Sequence, residues 1–121
     1  MNPTQQGIQD RKSVRVFLDQ PVPPAMKEQL LEAAFQAPTA GCQQLYTILD
    51  ITDPERKARL AELCDHQPFI ATAPVVLVFL ADCARWPGVY REAGCAPRPA
   101  GAGDLFLAVA DACIAAQNVV V

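Results

Sequence analysis

The chain has 121 residues, 51% of them hydrophobic and 19% charged, the composition of a globular chain of one domain's length or less. A formal net charge of -3 argues against a nucleic-acid binder, which would carry a basic face spread along the chain. No apolar run reaches the roughly 18 residues of a membrane span, the longest clear one being Pro74 to Ala81, and Met1 to Gln6 has neither a basic nor an apolar leader region, so the expected location is the cytoplasm, with no membrane partner.

Residues 3 to 11 read as a short helix with Ile8 as its inward anchor. Arg11-Lys12-Ser13-Val14-Arg15 follows, the most basic stretch of a net-acidic chain. Arg supplies a rigid donor fork, Lys a point charge and Ser a short hydrogen bond, which together suit a phosphate; a solvated charged face is the competing reading. Val16, Phe17, Leu18 and Pro21 come next, so the cluster is expected to abut a core. The prolines at 21, 23 and 24 make Asp19 to Pro24 extended, and Pro24 can then sit in the first turn of a helix to about Gln36. Its apolar residues Met26, Leu30, Leu31, Ala33, Ala34 and Phe35 recur at helical spacing. Ala37-Pro38-Thr39-Ala40-Gly41 breaks that helix into a loop.

Tyr46 to Ile51 is β-branched and aromatic enough for a strand. Thr52-Asp53-Pro54-Glu55 then starts a helix, with a capping residue, a proline in the first turn and an acid at the positive end; it continues to about Cys64. Ala73 to Asp82 is the strongest strand, apolar on both faces and so expected in a covered position. Cys83 to Gly103, rich in Pro, Gly and Ala, reads as a long surface excursion. Asp104 opens a last helix through Leu105, Phe106, Val109, Cys113, Ile114, Ala116 and Asn118, apolar nearly all round and expected to be buried on more than one side. It meets no stop signal before Val121, and two strong strands are too few for a free-standing sheet. The expectation is therefore a chain that forms the N-terminal part of a larger domain, or one completed by a partner.

The five cysteines, at 42, 64, 83, 95 and 113, are odd in number and lack CxxC spacing, which argues against a disulfide framework or a zinc site. They are expected to be reduced thiols acting mostly as small core residues. His66 is the only histidine.

The order of these features carries more than any one of them. The cationic pentapeptide, Pro38-Thr39 after a helix, Gln44 before a strand, Gln67 before Ile70 to Val78, and Asp111 to Asn118 follow one another in a pattern that resembles the nitroreductase family of flavin-dependent oxidoreductases. The closer likeness is to its NADPH-dependent nitroreductase and flavin reductase branch. The resemblance runs from residue 8 to residue 121 and covers the first half to two-thirds of a typical member.

The resemblance implies an α+β fold of three layers, a mixed, mostly antiparallel sheet sandwiched by helices, of which residues 1–121 form an incomplete N-terminal part of a single domain. It implies FMN as cofactor, with Arg11, Lys12, Ser13 and Arg15 on the phosphate and ribityl chain. Pro38 and Thr39 lie by the flavin ring in the family, usually given by the opposite subunit. Gln44 aligns with a glutamine common after that loop, and Gln67 stands where this branch places an amide against the flavin ring or ribityl chain. An amide both donates and accepts, which suits a ring edge with N–H and C=O groups. Cys42 stands where many members have Asn, and Leu45-Tyr46 where many have Pro-Trp. The implied reaction is ping-pong hydride transfer from NAD(P)H, through the cofactor, to a small-molecule acceptor such as a nitroaromatic, a quinone or a flavin. The chemistry belongs to the cofactor, so neither a catalytic acid–base residue nor a metal is expected, and His66 reads as structural or exposed. Trp86 and Tyr90 either cover the acceptor site or pack on the surface. A homodimer is implied, with the last helix in its interface. Two alternatives stand beside this reading: a truncated, non-catalytic remnant or partner-binding fragment of such an enzyme, and an anion-binding module for another phosphorylated metabolite.

Overall fold

Capping residues and prolines set several of the helix starts in the computed structural model, which describes residues 1–121. Helix α1 (Pro3–Asp10) begins with a reciprocal cap in which Gln5 N–H donates to Asn2 Oδ1 at 2.9 Å and Asn2 N–H to Gln5 Oε1 at 3.1 Å. Helix α2 (Pro24–Phe35) starts at its proline, as the sequence predicts. After a 3-10 turn over Ala40–Cys42 comes strand β1 (Tyr46–Asp50). Helix α3 (Pro54–Leu63) is capped by Asp53, whose Oδ1 accepts from Arg56 N–H at 2.8 Å. The short helix α4 (Phe69–Thr72), strand β2 (Leu77–Ala81), helix α5 (Arg85–Glu92) and helix α6 (Ala102–Val120) complete the chain.

Strands β1 and β2 form a two-stranded sheet. Ile51 N–H donates to Val76 C=O at 2.9 Å and Asp82 N–H to Leu45 C=O at 2.9 Å, so the pairing is antiparallel. The residues group into two compact units. The first comprises Met1–Gln29, Leu49–Val78 and Val121; the second comprises Leu30–Ile48 and Phe79–Val120. In the first, α3 packs on α4, Lys57 Nζ donates to Ala73 C=O at 2.8 Å, and Lys27 pairs with Asp50.

The core of the second unit is built from small residues. Ala34, Ala37, Tyr46, Ala112 and Ala115 are buried together, with Ile48, Phe79 and Val119 packed against them. Alanines on α6 let it approach the end of α2 closely enough for Asn118 Nδ2 to donate to Ala33 C=O at 3.0 Å. Tyr46 Oη donates to Ala34 C=O at 3.4 Å, and burial, reinforced by the Asp111 charge, raises the pKa of its phenol.

Several sequence expectations fail for identifiable reasons. Ile8 is no inward anchor: α1 buries nothing and Ile8 is 56% exposed, the helix resting on its cap instead. Strand β2 is shorter than Ala73 to Asp82 and is not covered on both faces, since it has one neighbouring strand and Leu80 and Ala81 are exposed. The region after Cys83 is not a continuous surface excursion. Asp82 Oδ1 accepts from Ala84 N–H and Arg85 N–H at 3.1 and 3.2 Å and nucleates α5, in which Pro87 falls within the first turn, where no N–H is needed. The cysteines are free but not core residues, four being exposed and Cys83 half-buried.

Helix α6 buries one stripe, Ala108, Asp111, Ala112 and Ala115, and not more than one side. Phe106, at 74% exposure, and Leu105, Val109 and Ile114 lie open. By length and composition α6 is also long and apolar enough to cross a membrane, with 19 residues and a mean hydropathy of 1.4. No unbroken apolar run marks this segment in the sequence, because Asp104 and Asp111 interrupt it without lowering its average far.

Ala115 is fully buried against the α2 end and Tyr46. Ala115→Leu is expected to overpack this contact and destabilise the fold by about 2 kcal/mol, read as a lower midpoint in guanidinium unfolding.

Candidate functional site

Residues Arg11 to Gln20 have no regular hydrogen-bonded structure and all are exposed. Arg11, Lys12 and Arg15 have no carboxylate partner, the ion pairs of the chain being Lys27–Asp50, Arg59–Glu62, Arg85–Asp82 and Arg98–Asp104. The Ser13 hydroxyl is exposed with its donor free. The expected core beneath this cluster is narrower than the sequence suggests. Val16 and Leu18 point to solvent, and only Phe17 packs, its ring 6.5 Å from that of Phe69 at 56°. Phe17 and Phe69 face a largely apolar cavity of about 360 Å³ with Leu60, Ile70, Val76 and Val78. On the same Phe69 ring lies the Arg15 guanidinium, its carbon 5.8 Å from the centroid.

Gln67 belongs to the same unit. Helix α3 ends without glycine. Asp65 and His66 both take left-handed backbone (φ +63° and +52°), which lets His66 N–H reach Glu62 C=O at 3.2 Å and Gln67 N–H reach Ala61 C=O at 2.8 Å. Gln67 Nε2 donates to Cys64 C=O at 2.7 Å. This bond orients the amide and leaves its Oε1 and second N–H for other partners. His66 is exposed and its ring makes no hydrogen bond, so it stands as the sequence reading has it.

Pro38, Thr39 and Gln44 lie in the second unit, in a loop organised by Asp111, a residue that the sequence marks only as the start of the segment to Asn118. Asp111, 3% exposed on α6, accepts from Ala40 N–H at 3.0 Å through Oδ1 and from Leu45 N–H at 3.1 Å through Oδ2. Between these two points Gly41, Cys42 and Gln44 all have positive φ (+57°, +54° and +46°), a conformation that costs a non-glycine residue about 1–2 kcal/mol. Thr39 Oγ1 accepts from Gln44 N–H at 3.2 Å across the loop. Helix α5 grips the far end: Trp86 Nε1 donates to Gln43 C=O at 2.7 Å and Arg85 Nη2 to Tyr46 C=O at 2.9 Å. The Gln44 side chain and Pro38 are left exposed on this fixed turn.

Asp82 ties α5 to β1, its Oδ2 accepting from Thr47 Oγ1 at 2.8 Å. That bond, with the backbone N–H groups of Ala84 and Arg85, holds its carboxyl below the ordinary value against the opposing effect of burial. Trp86 and Tyr90 pack with ring centroids 5.8 Å apart and face a cleft of about 290 Å³ that also meets Pro87, Pro97 and Arg98. Arg98 closes a loop by a two-pronged bond to Asp104 at 2.6 and 2.8 Å.

A sequence model described as the nitroreductase family matches residues 8–121. The chain belongs to this family. It is 31% identical over 120 residues to a Bacillus subtilis FMN reductase (NADPH), covering 98% of this chain and 48% of that protein. It is 32% identical over 114 residues to a Staphylococcus saprophyticus NADPH-dependent oxidoreductase, covering 93% of this chain and 45% of that one. The solved structure of a Bacillus subtilis nitroreductase superposes with a TM-score of 0.91 at 30% identity, over 96% of this chain and 48% of that chain. The chain thus spans about half the length of these relatives, and its fold is part of the α+β nitroreductase fold.

Two outcomes follow from the loop and the ion pair. Asp111→Asn sets an amide N–H against a backbone N–H, and it is expected to lower stability by about 2 kcal/mol, measured by urea unfolding. The Asp104 carboxyl is lowered to about 2, chiefly by the Arg98 hydrogen bonds and then by Gly101 N–H. Its contribution is complete above the ordinary value of 3.8 and is lost as pH falls through about 2. Carboxyl carbon NMR of Arg98→Ala is expected to show Asp104 titrating back towards 3.8.

Proposed function

We propose that the protein is an FMN-dependent oxidoreductase that takes electrons from NAD(P)H and delivers them to a small-molecule acceptor, a nitroaromatic, a quinone or a flavin, by a ping-pong mechanism. The observation that carries this reading is the donor set at Arg11, Lys12, Ser13 and Arg15, three cations with no carboxylate partner beside a free hydroxyl. A phosphate monoester dianion needs just such a combination of charge and short donors. Membership of a family whose relatives include FMN reductases supports the same cofactor.

When bound, FMN would supply the hydride chemistry. The chain's own residues have simpler tasks. Arg11, Lys12 and Arg15 neutralise the phosphate, and Ser13 donates to one of its oxygens. Gln67, oriented by its bond to Cys64 C=O, offers an acceptor and one N–H. Thr39 keeps its hydroxyl proton free while its oxygen accepts from Gln44 N–H, and the exposed Gln44 amide and Pro38 stand on the same turn. In this reading residues 1–121 are the N-terminal part of a single domain of a cytoplasmic homodimer.

A second reading, a non-catalytic remnant or partner-binding fragment, draws on the open side of α6, where Leu105, Phe106 and Val109 are exposed. Sedimentation with FMN separates the two: a flavin-loaded homodimer supports the oxidoreductase, and a colourless aggregate or mixed complex supports the fragment. Arg15→Ala is expected to weaken FMN binding by roughly tenfold or more, the loss of one charge-assisted contact, read by quenching of flavin fluorescence. A wild-type protein that takes up no FMN would overturn the oxidoreductase reading.

A further inference from the structure

The cationic strip has an unusual attachment. From Lys12 to Gln20 no backbone or side-chain group hydrogen-bonds to the rest of the chain; the last such bond before it is Arg11 N–H to Gly7 C=O at 3.1 Å. A segment that must present several donors to one anion needs some other means of order, since ordering it on binding would cost affinity. The contact the structure supplies is one aromatic ring. Phe69 carries the Arg15 guanidinium at 5.8 Å from its centroid and the Phe17 ring at 6.5 Å.

The position of that ring in the chain gives the contact a second consequence. Phe69 opens α4, two residues after Gln67. The turn between them is fixed by Ile70 N–H donating to Gln67 C=O at 3.2 Å and Ala71 N–H donating to Pro68 C=O at 3.1 Å. Gln67 is in turn tied to the end of α3 through Cys64 and Ala61. One short segment therefore holds the amide at residue 67 and, through the face of Phe69, the guanidinium at residue 15.

We propose that Phe69 is a positioning residue for the phosphate end of the flavin site: its ring face holds Arg15 in place, and it does not itself touch the cofactor. The proposal rests on the FMN reading above. An exposed guanidinium–ring contact is modest, and its loss corresponds to roughly a three- to fivefold change in binding.

The test is a double-mutant cycle on the protein, using FMN and riboflavin as probes in fluorescence titrations. Phe69→Leu keeps an apolar side chain and removes the ring face. It is expected to weaken FMN three- to fivefold and leave riboflavin, which lacks the phosphate, unchanged. Phe69→Tyr is expected to bind FMN as wild type does. In an Arg15→Ala background, Phe69→Leu is expected to add nothing. Equal weakening of both flavins, or a full additional loss in the Arg15→Ala background, would overturn the proposal, because Phe69 would then act on the fold or the ring. A readout free of flavin completes the test: the Arg15 δ-protons should be shifted upfield by the Phe69 ring current in wild type and not in Phe69→Leu. Unshifted δ-protons in wild type overturn the proposal even if Phe69→Leu fails to fold. Wild-type protein that binds neither flavin yet shows the shifted δ-protons defeats the FMN reading, while the Arg15–Phe69 contact stands.

Discussion

The second unit depends on one buried carboxylate. Asp111 has no cationic partner, and its two oxygens face the N–H groups of Ala40 and Leu45. A buried charge is tolerable only where its lone pairs are satisfied, and here those donors are the two ends of the loop that carries Gly41, Cys42 and Gln44. The arrangement works in both directions. The backbone N–H groups stabilise the carboxylate, and the carboxylate holds a loop whose left-handed residues would otherwise relax. Thr39 across the loop and Trp86 at its far end add restraints, so the strain is fixed from several sides.

The first unit solves its positioning problem by the opposite means. Its cationic strip has neither buried charge nor backbone ladder, and an aromatic ring takes their place. Burying Arg11, Lys12 and Arg15 would require paired carboxylates, which would neutralise their charge. Leaving them exposed keeps them available, at the cost that order must come from apolar contacts such as Phe17 on Phe69.

Much of this was legible in the sequence where local chemistry decides the outcome. Pro24 and Asp53-Pro54 start helices within the chain segments expected, and Tyr46 to Asp50 is a strand. The pentapeptide was legible because its charge density stands out without knowledge of any neighbour. The loop-holding role of Asp111 was not, because an acid on a helix reads as a solvent-facing residue, and its partners lie 71 and 66 positions away. Phe69 was missed because the four-residue helix α4 is too short to show a period. The open faces of β2 and α6 share another cause. Hydrophobicity records what a side chain favours, whereas burial depends on which neighbour is present, and Leu80 and Phe106 have none that covers them.

The charges of this acidic chain gain meaning from how they are spent. Its aspartates are largely committed: Asp50 to Lys27, Asp53 to the α3 cap, Asp82 to Thr47 and α5, Asp104 to Arg98, and Asp111 to the loop. Half of the ten cations are committed too, with Lys27 on Asp50, Lys57 on Ala73 C=O, Arg59 on Glu62, Arg85 on Tyr46 C=O and Arg98 on Asp104. Arg56 and Arg91 stand alone without such partners, each an ordinary solvated charge. Only at Arg11, Lys12 and Arg15 do uncommitted cations gather, and there Ser13 adds a free donor. A net charge of -3 conceals this, because an average cannot show which charges already have partners. Proximity of unspent cations makes a strong local positive potential, and the Phe69 ring lies 5.8 Å from the guanidinium carbon of one of them, Arg15.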